Sequence, residues 1–210
     1  MPRVVEPEIL DRLPHGDPDA RRSRRDLRMI NAVMGNTSWL RRQVRKRPLK
    51  RIVEIGAGDG GLCAQLAKDR PELELAAVDL APRPAQLPAQ IEWAQGDLFD
   101  VLPELSGDAL LANLFLHHFD TGALRRLGGL IQGFRFICVS EPLRTRRGHW
   151  LGGLLHPLVN HVTRHDMHVS IRAGFRRGEM PALLGLEVGD WEVKEFSTWR
   201  GAQRMVACRR

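Results

Sequence analysis

From residue 49 onward, short apolar runs alternate with segments of helical spacing. Residues 51–55 form a β-type run, residues 56–61 a glycine turn, and residues 62–68 a helical stretch. Residues 73–80 and 91–95 predict a second and a third strand, the latter ending at Gly96-Asp97. Residues 109–116 are nearly all apolar, as in a strand buried on both faces. Thr121 is placed to cap a helix over 122–131, and residues 134–140 predict a fifth strand. Such βαβ alternation predicts a doubly wound α/β fold with a mostly parallel sheet.

Both flanks read differently. Residues 1–19 carry Pro2, Pro7, Pro14 and Pro18 and predict an irregular arm with a short turn over 8–13. Asp19 is placed to cap the next stretch. There Leu27, Ile30, Val33, Met34, Trp39, Leu40 and Val44 recur near helical spacing, and Gly35-Asn36 splits them into two helices before Pro48. After Pro142, Trp150, Leu151, Leu154, Leu155, Leu158, Val159 and Val162 map to one helix face that Pro157 must kink or end. Residues 177–184 predict another helix. Residues 191–196 and 204–208 predict two strands joined near Arg200-Gly201. Residues 1–47 are therefore assigned to an arm and helical cap. Residues 48–210 form the main domain, with 143–180 as a lid insertion.

Composition narrows the class. A chain of 210 residues, 43% hydrophobic and 27% charged, suits one soluble domain. No apolar run reaches membrane-span length, and residues 1–7 lack a hydrophobic export core. Cys63, Cys138 and Cys208 are odd in number and far apart, which argues against a disulfide framework or a zinc site and fits a reducing cytoplasm. The net charge of +7 is carried mostly by arginine, since lysine occurs only at 46, 50, 68 and 194. That balance fits a polyanionic partner, but the skew also arises from base composition in a GC-rich genome. Arg21, Arg22, Arg24, Arg25, Arg28 and the cluster from Arg41 to Arg47 therefore read first as a solvated face and second as an anion-binding one.

The glycine turn carries the chemistry. Glycine lets a ligand approach the backbone, and the following helix presents free N–H groups and the positive end of its dipole. Gly56, Gly58 and Gly60 read G-x-G-x-G, while Gly56, Gly58 and Gly61 read G-x-G-x-x-G. The turn alone fits a methyl donor or a dinucleotide. Asp79, at the end of the second strand, is placed to accept ribose hydroxyls in either case. Asp97, after the third strand, is placed to accept an adenine amine. Glu54, inside the first strand, is foreign to the dinucleotide pattern.

With these elements in place, the chain resembles the class I S-adenosylmethionine-dependent methyltransferases over roughly residues 49–210. The resemblance is carried by Val53-Glu54-Ile55-Gly56-Ala57-Gly58-Asp59-Gly60-Gly61, Val78-Asp79-Leu80, Gly96-Asp97-Leu98, Asn113-Leu114-Phe115-Leu116-His117-His118-Phe119 and Val139-Ser140-Glu141-Pro142. It implies a seven-stranded sheet closed by an antiparallel pair. It also implies S-adenosyl-L-methionine as cofactor, with S-adenosyl-L-homocysteine as product. Glu54, Gly56, Ala57, Gly58 and Gly60 would hold the methionine end, Asp79 and Leu80 the ribose, and Asp97 and Leu98 the adenine. Asn113 would complete the set. The His-His and Glu-Pro segments look most like the small-molecule branch that includes the ubiquinone and menaquinone methyltransferases. Many relatives have an Asp early in the fourth strand, whose counterpart here is Asp108.

Acceptor chemistry is left to the variable segments. His117 and His118 end a strand on the edge where open α/β sheets bind ligands, and His117 is a candidate base. Residues 156–168 are histidine-rich, and His165 with Asp166 is a second candidate acid–base pair. No tidy metal-ligand set emerges there. The expected acceptor is a small, apolar or aromatic hydroxylated metabolite, methylated on oxygen or carbon. A membrane-surface contact through residues 150–162 is a further expectation, and the oligomeric state, monomer or homodimer, stays open. The alternatives are a nucleic-acid methyltransferase, a silent protein that binds cofactor or partner, and a nicotinamide enzyme. The absence of an Asn-Pro-Pro-Tyr-type motif after the fourth strand argues against amino methylation of DNA.

Overall fold

The computed structural model describes residues 1–14, 16–186 and 189–210. Seven strands form one sheet: β1 (Arg51–Ile55), β2 (Glu74–Asp79), β3 (Ile91–Gln95), β4 (Ala109–Asn113), β5 (Phe136–Pro142), β6 (Trp191–Ser197) and β7 (Ala202–Arg209). Their order is β3-β2-β1-β4-β5-β7-β6. Strands β1 to β5 are parallel, and β7 runs antiparallel between β5 and β6. The reversal of strand order between β1 and β4 creates the crevice at which such sheets bind ligands.

Period-two alternation divides the core. Val53, Ile55, Val78, Leu110 and Ala112 pack on one face with Leu124, Leu127 and Phe175. Ile52, Ala77, Leu111 and Cys138 pack on the other with Leu40, Leu62 and Leu66. Every residue of β5 is buried, which explains its unbroken apolar reading as far as Ser140.

The helices are α1 (Pro18–Met34), α2 (Asn36–Arg45), α3 (Gly61–Asp69), α4 (Leu98–Val101), α5 (Thr121–Leu130), α6 (Arg146–Leu155), α7 (His161–Ala173) and α8 (Glu179–Leu183). Gly35, at φ 69°, makes the turn between α1 and α2. Two caps differ from expectation. Asp17, not Asp19, accepts the free amides of α1, because Pro18 already occupies the first helical position. Asp120, not Thr121, caps α5 by accepting from Ala123 N. The docking face of α1 is also more polar than its hydrophobic positions suggest. Leu27 and Val33 are exposed, whereas Ser23 and Asp26 are buried against the insertion. There Asp26 accepts from Asn160 N at 2.9 Å and Thr163 Oγ1 at 3.1 Å.

Two larger differences concern the acceptor side. β4 stops at Asn113, three residues early, because the Glu141 carboxylate takes the next amides out of the ladder. It accepts from Phe115 N at 2.9 Å and Leu116 N at 2.8 Å. Leu114 turns the chain at φ 54°, and residues 116–118 form a 3-10 turn. The single apolar helix face over 150–162 is also absent. A 3-10 turn at residues 156–158 and the Asn160 cap separate α6 from α7 and reset the helical phase. Val159 and Val162 are consequently buried, while Trp150, Leu154 and Leu158 are 64%, 58% and 66% exposed.

Candidate cofactor and acceptor site

The glycine turn joins β1 to α3, and all three of its odd glycines have left-handed backbones: Gly56 at φ 65°, Gly58 at 59° and Gly60 at 70°. Their surroundings differ. A Cβ on Gly56 would stand 2.1 Å from the Phe115 ring, and one on Gly60 would stand 2.5 Å from Leu87. A Cβ on Gly58 would meet nothing within 4 Å. Gly58 is therefore the position where open space, not chain packing, borders the loop.

Asp79 faces that position from the end of β2. Its carboxylate accepts from Gly58 N at 2.7 Å and Ala81 N at 2.9 Å. Leu80 beside it is 72% exposed, a large apolar side chain left uncovered at the mouth. Asp97 caps α4, accepting from Phe99 N at 2.8 Å. Leu98 is buried in the core, so it can meet a ligand only through its backbone. Glu54 lies under the loop, where its carboxylate accepts from Cys63 N at 3.1 Å. Burial pushes its pKa up to about 7, against the opposing pull of the Cys63 bonds. Asn113 ends β4 opposite Ser140 of β5. The Asn113 Oδ1 and Ser140 Oγ atoms are both buried without a hydrogen-bond partner among the described residues. Two orphan polar atoms at the carboxyl edge suit a polar ligand group, since such atoms are otherwise almost always bonded.

Asp108 sits at the opposite, amino edge. It accepts from Lys50 N at 2.8 Å and Arg51 N at 3.1 Å, and pairs with Arg135. These bonds hold its pKa down at about 2, with the Arg135 bond the largest cause. Its contacts stitch strand starts together, far from the glycine loop along β4.

Beyond β4, His117, His118 and Phe119 meet the arm. His117 is buried, with Nδ1 2.7 Å from Glu141 Oε2 and Nε2 3.5 Å from Glu8 Oε1. Burial alone would lower its pKa. The hydrogen bond to Glu141 and the carboxylate of Glu8 more than offset this and raise it to about 9. His117 is therefore an imidazolium near neutral pH and has no free ring nitrogen to offer an acceptor. His118 stacks on it at 4.3 Å between ring centroids and keeps part of its ring in solvent, with Nδ1 3.5 Å from Asp11 Oδ2. Arg3 ties the arm down by donating to the carbonyls of Ala173, His117 and Phe119.

His165 and Asp166 do meet, at 3.0 Å. His165 is exposed, but Asp166 is buried and accepts from Ile9 N at 2.8 Å and Leu10 N at 3.0 Å. Its carboxylate is thus engaged in anchoring the arm. Three further histidines form their own chain, with His168 bridging His149 at 3.0 Å and His156 at 3.1 Å. Reading the sequence alone misses Glu8 and Asp11. Glu8 and Asp11 reach the site only through tertiary packing of the arm. Glu141 was visible as part of a motif, but not as the group that ends β4.

This sheet order and crevice define the fold of the class I methyltransferases. No family model matches the chain. An uncharacterized methyltransferase of Mycobacterium tuberculosis is 39% identical over 88 residues, which is 38% of this chain and 44% of the relative. Cephaeline 6'-O-methyltransferase of Carapichea ipecacuanha is 37% identical over 71 residues, 33% of this chain and 20% of the relative. The matches thus span less than half the length of these curated relatives. Among solved structures, the plantazolicin methyltransferase BpumL in complex with SAH superposes with a TM-score of 0.69 at 14% identity. That match covers 93% of this chain and 92% of the other.

Proposed function

We propose that the chain transfers a methyl group from S-adenosyl-L-methionine to an oxygen or carbon of a small, apolar or aromatic hydroxylated acceptor. The observation that carries this reading is the open left-handed Gly58, with Asp79 bonded to its amide and the buried Glu54 beneath. The antiparallel β7 between β5 and β6 favours a methyl donor over a nicotinamide. Bound S-adenosylmethionine supplies an electrophilic methyl group on a sulfonium. Gly56, Ala57, Gly58 and Gly60 would hold its methionine end through their backbone, and Asp79 would accept its ribose hydroxyls. Asp97 would accept the adenine amine, and the orphan Asn113 carbonyl would be a further acceptor.

Transfer is an in-line displacement. The acceptor would give an oxygen lone pair, or the π pair of an electron-rich ring carbon, to the new C–O or C–C bond as the C–S bond breaks with its electrons left on sulfur. The chain contributes mainly by positioning and by removing the acceptor proton. That proton goes to the histidine–carboxylate cluster after β4, where His118 is the ring with solvent access. His165 is the second candidate. An aromatic acceptor is supported by Phe115, Phe119 and Phe99, which stack edge to face at 5.0 and 5.6 Å beside the loop. Quinone precursors and polyketide phenols have the expected chemistry.

Calorimetry with S-adenosylhomocysteine and with NADH tests the cofactor. The expected result is S-adenosylhomocysteine binding that Asp79→Ala weakens at least tenfold, with no NADH binding. NADH binding without a response to S-adenosylhomocysteine overturns the reading. A panel of phenols and quinols with methyl-labelled donor tests the acceptor. His118→Ala and His165→Ala are expected to keep cofactor affinity, and if neither slows transfer, the base assignment falls. The net charge of +7 suggests a second reading, methylation of nucleic acid, which salt-sensitive binding to RNA or DNA would support.

A further inference from the structure

We propose that Glu8, His117 and His118, with Asp11 beside them, form a binding site for a divalent transition-metal cation, zinc above all. One ligand atom from each of Glu8, His117 and His118 lies within 4.8 Å of the others. Two imidazoles and one or two carboxylates are the donor set that borderline divalent ions select.

The orientation of His117 is the strongest argument. Its Nδ1 is 2.7 Å from the buried Glu141 carboxylate, the outer partner typical of a metal-bound histidine. That bond holds one ring proton on Nδ1, so a bound ion would displace the second proton, on Nε2, which faces Glu8 Oε1. The gap between them is 3.5 Å. A charge-assisted hydrogen bond there would close to about 2.8 Å. Two ligands of a tetrahedral ion with bonds of about 2.1 Å stand roughly 3.4 Å apart. The spacing therefore suits an ion better than a shared proton. His118 Nδ1 and Asp11 Oδ2 repeat the same separation of 3.5 Å.

Access and rigidity are also provided. Glu8 and His117 are buried, and Glu8 is further held by the Ser170 hydroxyl. His118 and Asp11 face solvent in part, which gives an ion a path inward. Because Glu8 and Asp11 belong to the arm, while His117 and His118 follow β4, an ion would cross-link the two. In the methyl-transfer reading an ion there would engage His118 and leave His165 as the candidate base. The site itself rests on ligand geometry and not on that reading.

The test uses the full chain, stripped with EDTA and titrated with Co²⁺ and Zn²⁺, following the visible absorption of cobalt and the heat of zinc binding. One ion per chain is expected. Glu8→Gln and His118→Ala should each weaken it tenfold or more, and His168→Ala should leave it unchanged. Circular dichroism and S-adenosylhomocysteine affinity on the same samples separate a failed site from a failed fold or a failed cofactor reading. If Glu8→Gln does not fold, His118→Ala, a partly exposed position, decides the matter. No ion uptake by the parent chain overturns the proposal, as do variants that bind as the parent does. A loss in His168→Ala alone would place the ion among His149, His156 and His168 and overturn it equally.

Discussion

Gly58 separates what a residue does for the fold from what it does for a ligand. Any L-residue at φ 59° carries a left-handed penalty of about 1–2 kcal/mol, but nothing crowds a Cβ there. Gly58→Ala is therefore expected to fold, melt several degrees lower and lose S-adenosylhomocysteine affinity at least tenfold. Gly56→Ala adds a collision with Phe115 to the same strain and should unfold far more readily. Thermal melts with and without S-adenosylhomocysteine distinguish them, and equal affinity in Gly58→Ala and the parent would refute the assignment. At this scale the sequence showed much of the candidate cofactor side, because glycine spacing and strand-end acids are local signals. It showed little of the acceptor side. Nothing local marks Glu8 as the partner of His117, 109 residues away in sequence. Nor does anything local mark Asp166 as an anchor for Ile9 and Leu10.

At the scale of elements, Glu54 joins β1 to the start of α3, and its burial sets a pH dependence. Its folded pKa is about 7, above the model-peptide value of about 4.3. Between those values the folded state binds the extra proton, so stability falls as pH rises through this window. By linkage the difference is on the order of 3 kcal/mol. Urea denaturation at pH 4.5 and 7.5 should show that loss in the parent chain and not in Glu54→Gln. Equal slopes for the two would mean that Glu54 is charged throughout. Element types along residues 49–142 were legible because strands buried on both faces and amphipathic helices carry distinct periods. Their ends were less so. Side chains decide them: Glu141 cuts β4 short, and Asp17 and Asp120 take caps that neighbouring residues could equally have filled.

Across the whole molecule, the arm, α1 and the insertion converge on the carboxyl edge of β4, and α6 is left with an uncovered apolar surface. No helix among the described residues is long and apolar enough to cross a membrane. Trp150 and Leu154 stand one turn apart on α6, and Leu158 follows in the next 3-10 turn, with exposed Arg146 and Arg147 at the helix start. Burying half of these three side chains is worth roughly 3 kcal/mol, about a hundredfold in partition, and the arginines add attraction to an anionic surface. The chain is therefore expected to sediment with anionic phospholipid vesicles in a salt-sensitive way. The triple variant Trp150→Ser, Leu154→Ser, Leu158→Ser should abolish this and keep S-adenosylhomocysteine affinity, because α6 lies apart from the glycine loop. If α6 is instead a lid over the acceptor, the parent will not sediment, and the same variant will raise the acceptor KM without changing cofactor affinity. Sedimentation that persists in the triple variant would assign membrane contact to the arginine-rich face of α1, where Arg21, Arg22, Arg25 and Arg28 are exposed.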